Sequence, residues 1–143
     1  MKKLVFVVLA LGLMFNCSNN DDSEEVALSE DQIVGRWNLT HQESFGITIN
    51  DTPCHQQSYI IWNADFTSER KTYANNGQGG PCFITGEGEG SWELIPDSES
   101  ASGENYRFMG NNGTSIDEKI VFVDNNTMYI EYNLIDFYYV RTQ

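Results

Sequence analysis

The stretch KIVFVDNNTMYIEYNLIDFYYVR, residues 119–141, reads as three strands joined by two turns. In Lys119–Val123, Ile120 and Phe122 fall on one face and Val121 and Val123 on the other, the period of two that a pleated strand imposes. Asp124-Asn125-Asn126 is a turn, since Asn tolerates positive φ and Asx side chains bond to nearby backbone. Thr127–Tyr132 and Asp136–Arg141 repeat the β-rich pattern. The same reading extends back along the chain. Ile33–Leu39 alternates, Ser58–Trp62 is apolar and β-rich, Asn63-Ala64-Asp65 is a turn, and Phe66–Tyr73 alternates again. Thr85–Ile95 carries Gly86, Gly88 and Gly90 before Trp92, an alternation that allows tight bending or close backbone approach. Glu104–Met109 completes a set of eight strands with no long helix. Short strands separated by turn signals indicate a sandwich or a barrel. The expected fold is all-β, an eight-stranded antiparallel up-and-down barrel closed so that no edge is exposed; a two-sheet sandwich of the same strands is the alternative.

The segment Ile33-Val34-Gly35-Arg36-Trp37-Asn38-Leu39 resembles the Gly-x-Trp first strand of lipocalins. The continuation is similar to the short lipocalin-like domain lipoproteins of Bacteroidetes-type bacteria: Cys54 before the apolar strand Tyr59–Trp62, the turn and Phe of Asn63–Phe66, Cys82, a second G-x-W at Gly90/Trp92, and hairpins after Lys119. The resemblance spans roughly residues 31–142. It implies a lipocalin-like barrel with Trp37 at its base and a basic residue of the last strand, here Arg141, packed over that tryptophan. Members of this group mostly lack an assigned activity, so the resemblance bears on fold more than on function.

The start of the chain has its own logic. Lys2 and Lys3 precede the apolar run Leu4–Phe15, which is shorter than the roughly 20 residues a bilayer helix needs and fits a secretory h-region. Met14-Phe15-Asn16-Cys17 resembles a relaxed lipobox, and Ser18–Asp22 resembles the acidic signal that sends lipoproteins to the cell surface; a plain acidic linker is the other reading. The expected organisation is a signal peptide over residues 1–16, a lipidated acidic tether over 17–30, and the barrel over 31–143. Leu28–Asp31 is expected to form a helical turn capped by Ser29. The tether is expected to tie the protein to the outer membrane through lipid on Cys17. With Cys17 lipidated, Cys54 and Cys82 remain as a pair in an oxidising compartment, where disulfides persist. A Cys2His2 metal set with His41 and His55 is the weaker alternative, since no zinc-motif spacing accompanies it.

The net charge of −13 becomes −15 once Lys2 and Lys3 leave with the signal, which argues against nucleic acid and anionic membrane surfaces as partners. No G-x-S-x-G, phosphate-loop or EF-hand spacing is present. Glu87, Glu89 and Glu93 lie at strand spacing, and an acidic outer face explains them better than paired catalytic carboxylates. Asp117, Glu118, Asp124 and Asp136 read as solvated residues rather than calcium ligands. The expectation is a monomeric, non-catalytic domain without cofactor or metal. Its binding partner would be a small apolar or amphipathic ligand, held in the barrel mouth between the loops Thr48–Pro53 and Asn75–Pro81. Trp62, Tyr73 and Trp92 are the candidate ligand contacts. A filled barrel acting as a structural or interaction lipoprotein is the alternative.

Overall fold

The computed structural model describes residues 29–49, 52–77, 79–96 and 103–142; Cys17 and most of the tether lie outside the described residues. Among the described residues, nine strands build eight staves of a closed antiparallel barrel. They are β1 (Gly35–Ser44), β2 (Ile47–Ile49), β3 (Tyr59–Trp62), β4 (Thr67–Ala74), β5 (Phe83–Ile95), β6 (Glu104–Gly110), β7 (Ser115–Asp124), β8 (Thr127–Tyr132) and β9 (Ile135–Thr142). Each of β3 to β8 pairs with the next in chain order, and β9 returns to β1, with Trp37 opposite Arg141 and Leu39 opposite Tyr139. Closure leaves no open sheet edge at that seam. The ninth strand is half of a broken stave. β2 pairs with the upper part of β1, Gln42 opposite Ile49, and β3 with the lower part, Asn38 opposite Tyr59. Between them the chain leaves the ladder for a single 3₁₀ turn, His55–Gln57. Cys54 precedes that turn and is disulfide-bonded to Cys82, just before β5, so the staple joins the interruption to the β4–β5 connection.

The two ends of the barrel differ. The base holds the apolar core: Trp37, Trp62, Trp92 and Tyr106 are fully buried or nearly so, with Ile33, Ile120 and Met128 among them. Trp62 and Trp92 meet edge to face at 5.8 Å, the geometry that ring quadrupoles favour. Two segments plug this end. The β3–β4 turn places Phe66 against Trp92 at 5.2 Å, although Phe66 adopts φ +65. The chain before β1 turns at Gln32–Ile33, later than the sequence suggests. Ser29 Oγ accepts the Asp31 N–H at 3.2 Å, and the Asp31 carboxylate in turn accepts the Ile33 N–H at 3.0 Å, so Asp31 rather than Ser29 caps the turn. Ile33 then enters the core and its carbonyl accepts the Trp37 indole N–H at 2.7 Å. A bulge in β1 between Leu39 and His41 shifts the inward phase, so that Leu39 and Gln42 are both buried. Such insertions bend a strand and re-aim its side chains.

Candidate binding cleft

Strand alternation decides what the upper half of the barrel contains. Ser68 faces inward opposite Trp62, which sets Arg70 and Thr72 on the same face of β4. Their partners on β5 are Gly90, Gly88 and Gly86, so the inward positions of that strand carry no side chains until Trp92. Gly90 must be glycine, because a Cβ there would sit 2.0 Å from the Met109 carbonyl oxygen; the close backbone approach read from the sequence is real at this position. At Gly88 the space has another use. Arg70 extends past it, lies 4.5 Å over the Phe108 ring, and reaches Glu118 on β7 through two bonds of 2.7 and 2.9 Å. This bidentate pair crosses from β4 to β7 inside the barrel. Burial works against the charge on Arg70, but the bonds and charge of Glu118 outweigh it and hold the guanidinium above its ordinary value. The Tyr139 hydroxyl is pushed up as well, by burial first and then by the Glu118 charge, so it stays a neutral phenol.

Above this pair opens a cleft of about 550 Å³, a volume in the range of small-molecule sites. Arg70, Gly88, Phe108 and Ile116 line it from inward positions, and Asn111, Asn112 and Thr114 of the β6–β7 turn form its rim. Glu69, Lys71, Glu87 and Glu89 line it from the alternate phase of β4 and β5. The lining therefore combines both faces of a hairpin whose wall is thin where glycine replaces a side chain. Glu69 is bonded by the Tyr59 hydroxyl at 2.5 Å, which holds its carboxyl below the usual range. The β4–β5 side of the lining is thus anionic, moderated by Lys71, 3.5 Å from Glu69.

The residues singled out from the sequence separate into three groups. Gly35, Trp37 and Arg141 come together at the base. The Arg141 guanidinium lies 4.5 Å over the Trp37 ring, donates to the Val34 carbonyl at 2.7 Å and to the Gln32 carbonyl. Gly35 has φ +142, and a Cβ there would stand 3.3 Å from Arg141 Nη1. Cys54 and Cys82 form the disulfide, so their sulfurs are not available to a Cys2His2 site; His41 instead stacks on Tyr138 at 4.6 Å. The third group, the expected ligand contacts, is placed differently. Trp62 and Trp92 are 0 % and 2 % exposed and belong to the packed base. Tyr73 follows a bulge and falls in the outward phase of β4, opposite Ile84. None of the three lines the cleft. The opening is at the expected end of the barrel but on another side, at the β6–β7 turn rather than between the two disulfide-tied loops. Arg70 and Phe108 line its floor, Arg70 held in place by Glu118, and sequence reasoning selected none of these as a ligand contact.

The acidic candidates disperse. Glu93 pairs with Arg107 at 3.2 Å and Asp117 with the same arginine at 2.7 Å. Glu118 turns inward to Arg70, and Asp124 caps its turn through the Asn126 N–H at 2.7 Å. At the base, the buried Tyr106 hydroxyl lies 2.7 Å from Asp31 and 2.5 Å from Glu104. Burial, then those two carboxylates, drive its pKa far up, so it remains a donor. No protein-family model matches this chain, and no curated protein is significantly similar to it.

Proposed function

We propose that this chain is a lipid-anchored envelope protein whose barrel binds a small, largely apolar ligand without transforming it. The observation that carries this reading is the cleft of about 550 Å³ above a solidly packed base. Below it aromatic rings fill the barrel; above it Gly88, at an inward position of β5, leaves room. Phe108 and Ile116 offer apolar contact, and Arg70, held by Glu118, offers polar contact at the floor. The anchor part of the reading rests on the leader and Cys17, and the exposed location on the acidic run after that cysteine.

Two measurements test it. Titration with the neutral fluorophore N-phenyl-1-naphthylamine should show saturable binding that Gly88→Leu abolishes. A Cβ at Gly88 meets Phe108 and Arg70 at 3.6 and 3.7 Å, ordinary contact, so the added isobutyl group fills the cleft without breaking the strand. Identical behaviour of the two proteins would remove the cleft as the site. Replacing Cys17→Ala should release the protein from the membrane fraction; persistence there would remove the anchor. A second reading, a docking module within an envelope assembly, is favoured by the apolar residues around the mouth, among them Phe45 at 83 % and Leu134 at 65 % exposure.

A further inference from the structure

Two hairpin tips stand side by side at the open end of the barrel. β1 runs up to Phe45-Gly46 and β9 comes down from Asn133-Leu134, and the β1–β9 ladder ends with Glu43 opposite Asp136, just below both tips. The tips carry large apolar side chains: Phe45 is 83 % exposed, and Ile47, Tyr132 and Leu134 are largely exposed beside it. Phe45 is held there against its own preference. Ser44 pairs with Ile47, leaving a two-residue turn in which Phe45 has φ +51 and Gly46 φ +74. Turns with both central residues at positive φ favour Asn-Gly, because a bulky side chain is strained there. The phenyl ring thus sits where neither packing nor backbone geometry rewards it. Below the tips, three carboxylates form a row across three strands: Glu131 on β8, Asp136 on β9 and Glu43 on β1 stand opposite one another in register. Their chain neighbours Ile130, Phe137 and Gln42 pack inward, so the row faces outward. Like charges directly opposite one another destabilise a sheet. One lysine, Lys119, joins the row, bonded to Glu131 at 2.9 Å, which leaves the row net negative. Burial and the two flanking charges hold the Asp136 carboxyl above its ordinary value.

We infer that this end of the barrel is a docking surface for a protein segment that carries lysine or arginine beside apolar residues. Exposed apolar side chains clustered in one place mark contact surfaces, and complementary charge decides which partner fits. The segment seats an apolar group on the tips while the neighbouring cation reaches the carboxylate row. A second copy of this chain is disfavoured, because it brings a second acidic row against the first. A bilayer is disfavoured too. The carboxylates lie directly below the tips and would be drawn toward the lipid with them. The described chain also enters the barrel at the base, where the Ser29 N–H donates to the Ala64 carbonyl at 2.6 Å, so a lipid on Cys17 holds the opposite end toward the membrane. This develops the docking reading and is independent of the cleft, with which the surface shares no residue.

Fluorescein-labelled hexapeptides titrated against the full chain and read by anisotropy test this. Alternating lysine and leucine should bind about tenfold more tightly than alternating glutamate and leucine, or than alternating lysine and serine, the ratio that one good contact supplies. Phe45→Asn should weaken the lysine–leucine peptide about tenfold without lowering the urea midpoint, because asparagine suits the turn better than phenylalanine; the loss then does not come from unfolding. Glu43→Gln combined with Asp136→Asn should weaken it by a similar factor. Glu93→Gln combined with Asp117→Asn removes the same charge from the wall around Arg107 and should leave binding unchanged. Equal weakening by the two charge pairs would overturn the inference, reducing it to attraction by net charge. An unchanged affinity in Phe45→Asn, or no binding of the lysine–leucine peptide to the parent chain, would overturn it as well. So would Phe45-dependent binding of the Cys17→Ala chain to phosphatidylcholine vesicles, which would make the tips a membrane wedge. None of these results touches the cleft, which N-phenyl-1-naphthylamine reports separately.

Discussion

Replacing Arg141→Met tests how the barrel is closed. The side chain makes three contacts of unequal worth. Nη1 donates to the partly buried Val34 carbonyl at 2.7 Å, a charge-assisted bond worth about 1.5–3 kcal/mol. Nη2 donates to the Gln32 carbonyl, which is exposed and is rehydrated when the arginine goes, so its loss costs only about 0.5 kcal/mol. The guanidinium lies 4.5 Å over Trp37, worth about 1 kcal/mol in a half-buried setting. Methionine keeps most of the apolar stem over the ring, so the expected loss is about 3 kcal/mol, dominated by the Val34 bond. Urea unfolding followed by tryptophan fluorescence reads this directly. With a slope of about 2 kcal/mol per molar, the midpoint should fall by about 1.5 M. Arg141→Lys keeps the charge but loses the planar fork that serves two carbonyls and a ring at once, and should recover about half of the shift. A fall below about 0.3 M in Arg141→Met, or full recovery in Arg141→Lys, would refute the claim that the guanidinium fork holds the N-terminal plug to the last strand.

Three further outcomes are expected. Removing the Cys54–Cys82 bond, with both replaced by Ser, opens a loop with a sequence separation of 28 and should cost about 3.5 kcal/mol by the chain-entropy argument, again read as a urea midpoint. Tyr106→Phe strips a buried hydroxyl that bridges Asp31 and Glu104 and should cost about 2 kcal/mol; a neutral effect would mean that the two carboxylates turn to solvent without loss. Asp136 stands directly opposite Glu43 on one side and Glu131 on the other. Burial, then those two charges, hold its carboxyl above the ordinary aspartate value. The folded state therefore binds this proton more tightly than the unfolded chain, and the group costs stability as pH rises through its folded value. Asp136→Asn should stabilise the protein at neutral pH by roughly 0.5 kcal/mol, a figure reduced for solvent screening. The gain should vanish below about pH 3.9, where Asp136 is protonated in both states; a gain independent of pH would contradict the electrostatic account.

Much of the barrel was legible because period-two alternation is local: eight strands, their order and the turns at Asn63–Asp65 and Asp124–Asn126 follow from neighbouring residues alone. The broken stave was not, since Ile47-Thr48-Ile49 is too short to show a period and its pairing with β1 depends on where the chain leaves and rejoins the ladder. Cysteine parity gave the disulfide without geometry. The cleft was misread for a physical reason. Trp62 and Trp92 look the same in sequence whether they line a pocket or fill a core; only the registers placing Trp62 opposite Ser68 and Trp92 opposite Phe108 send them to the base. Arg70 and Glu118 were passed over because charged strand residues usually face water, and β4 offers no contrast, its two faces being Ser68, Arg70 and Thr72 against Glu69 and Lys71. The usable signal lay one strand away. Gly86, Gly88 and Gly90 share the phase of Trp92, so an inward face that ends in a tryptophan begins with three missing side chains, and a neighbouring long side chain must fill the gap or leave it open.

That asymmetry argues for a role beyond stability. A buried ion pair such as Arg70–Glu118 roughly breaks even against apolar residues of similar size, because desolvation offsets the Coulombic gain. Apolar side chains at Gly86, Gly88, Ser68 and Thr72 would add burial at about 25 cal/mol per Å² and extend the aromatic core of the base toward the mouth. The chain instead keeps small or polar residues at these positions and pairs the inward Arg70 across the barrel, leaving its Nε without a protein partner. Each choice forgoes stabilisation in the same region, whereas at the base Trp37 and Trp92 have both their packing and their hydrogen bonds. An upper half that gives up stability residue by residue, over a base that secures it, is the arrangement expected when the open half must accept something the lower half only supports.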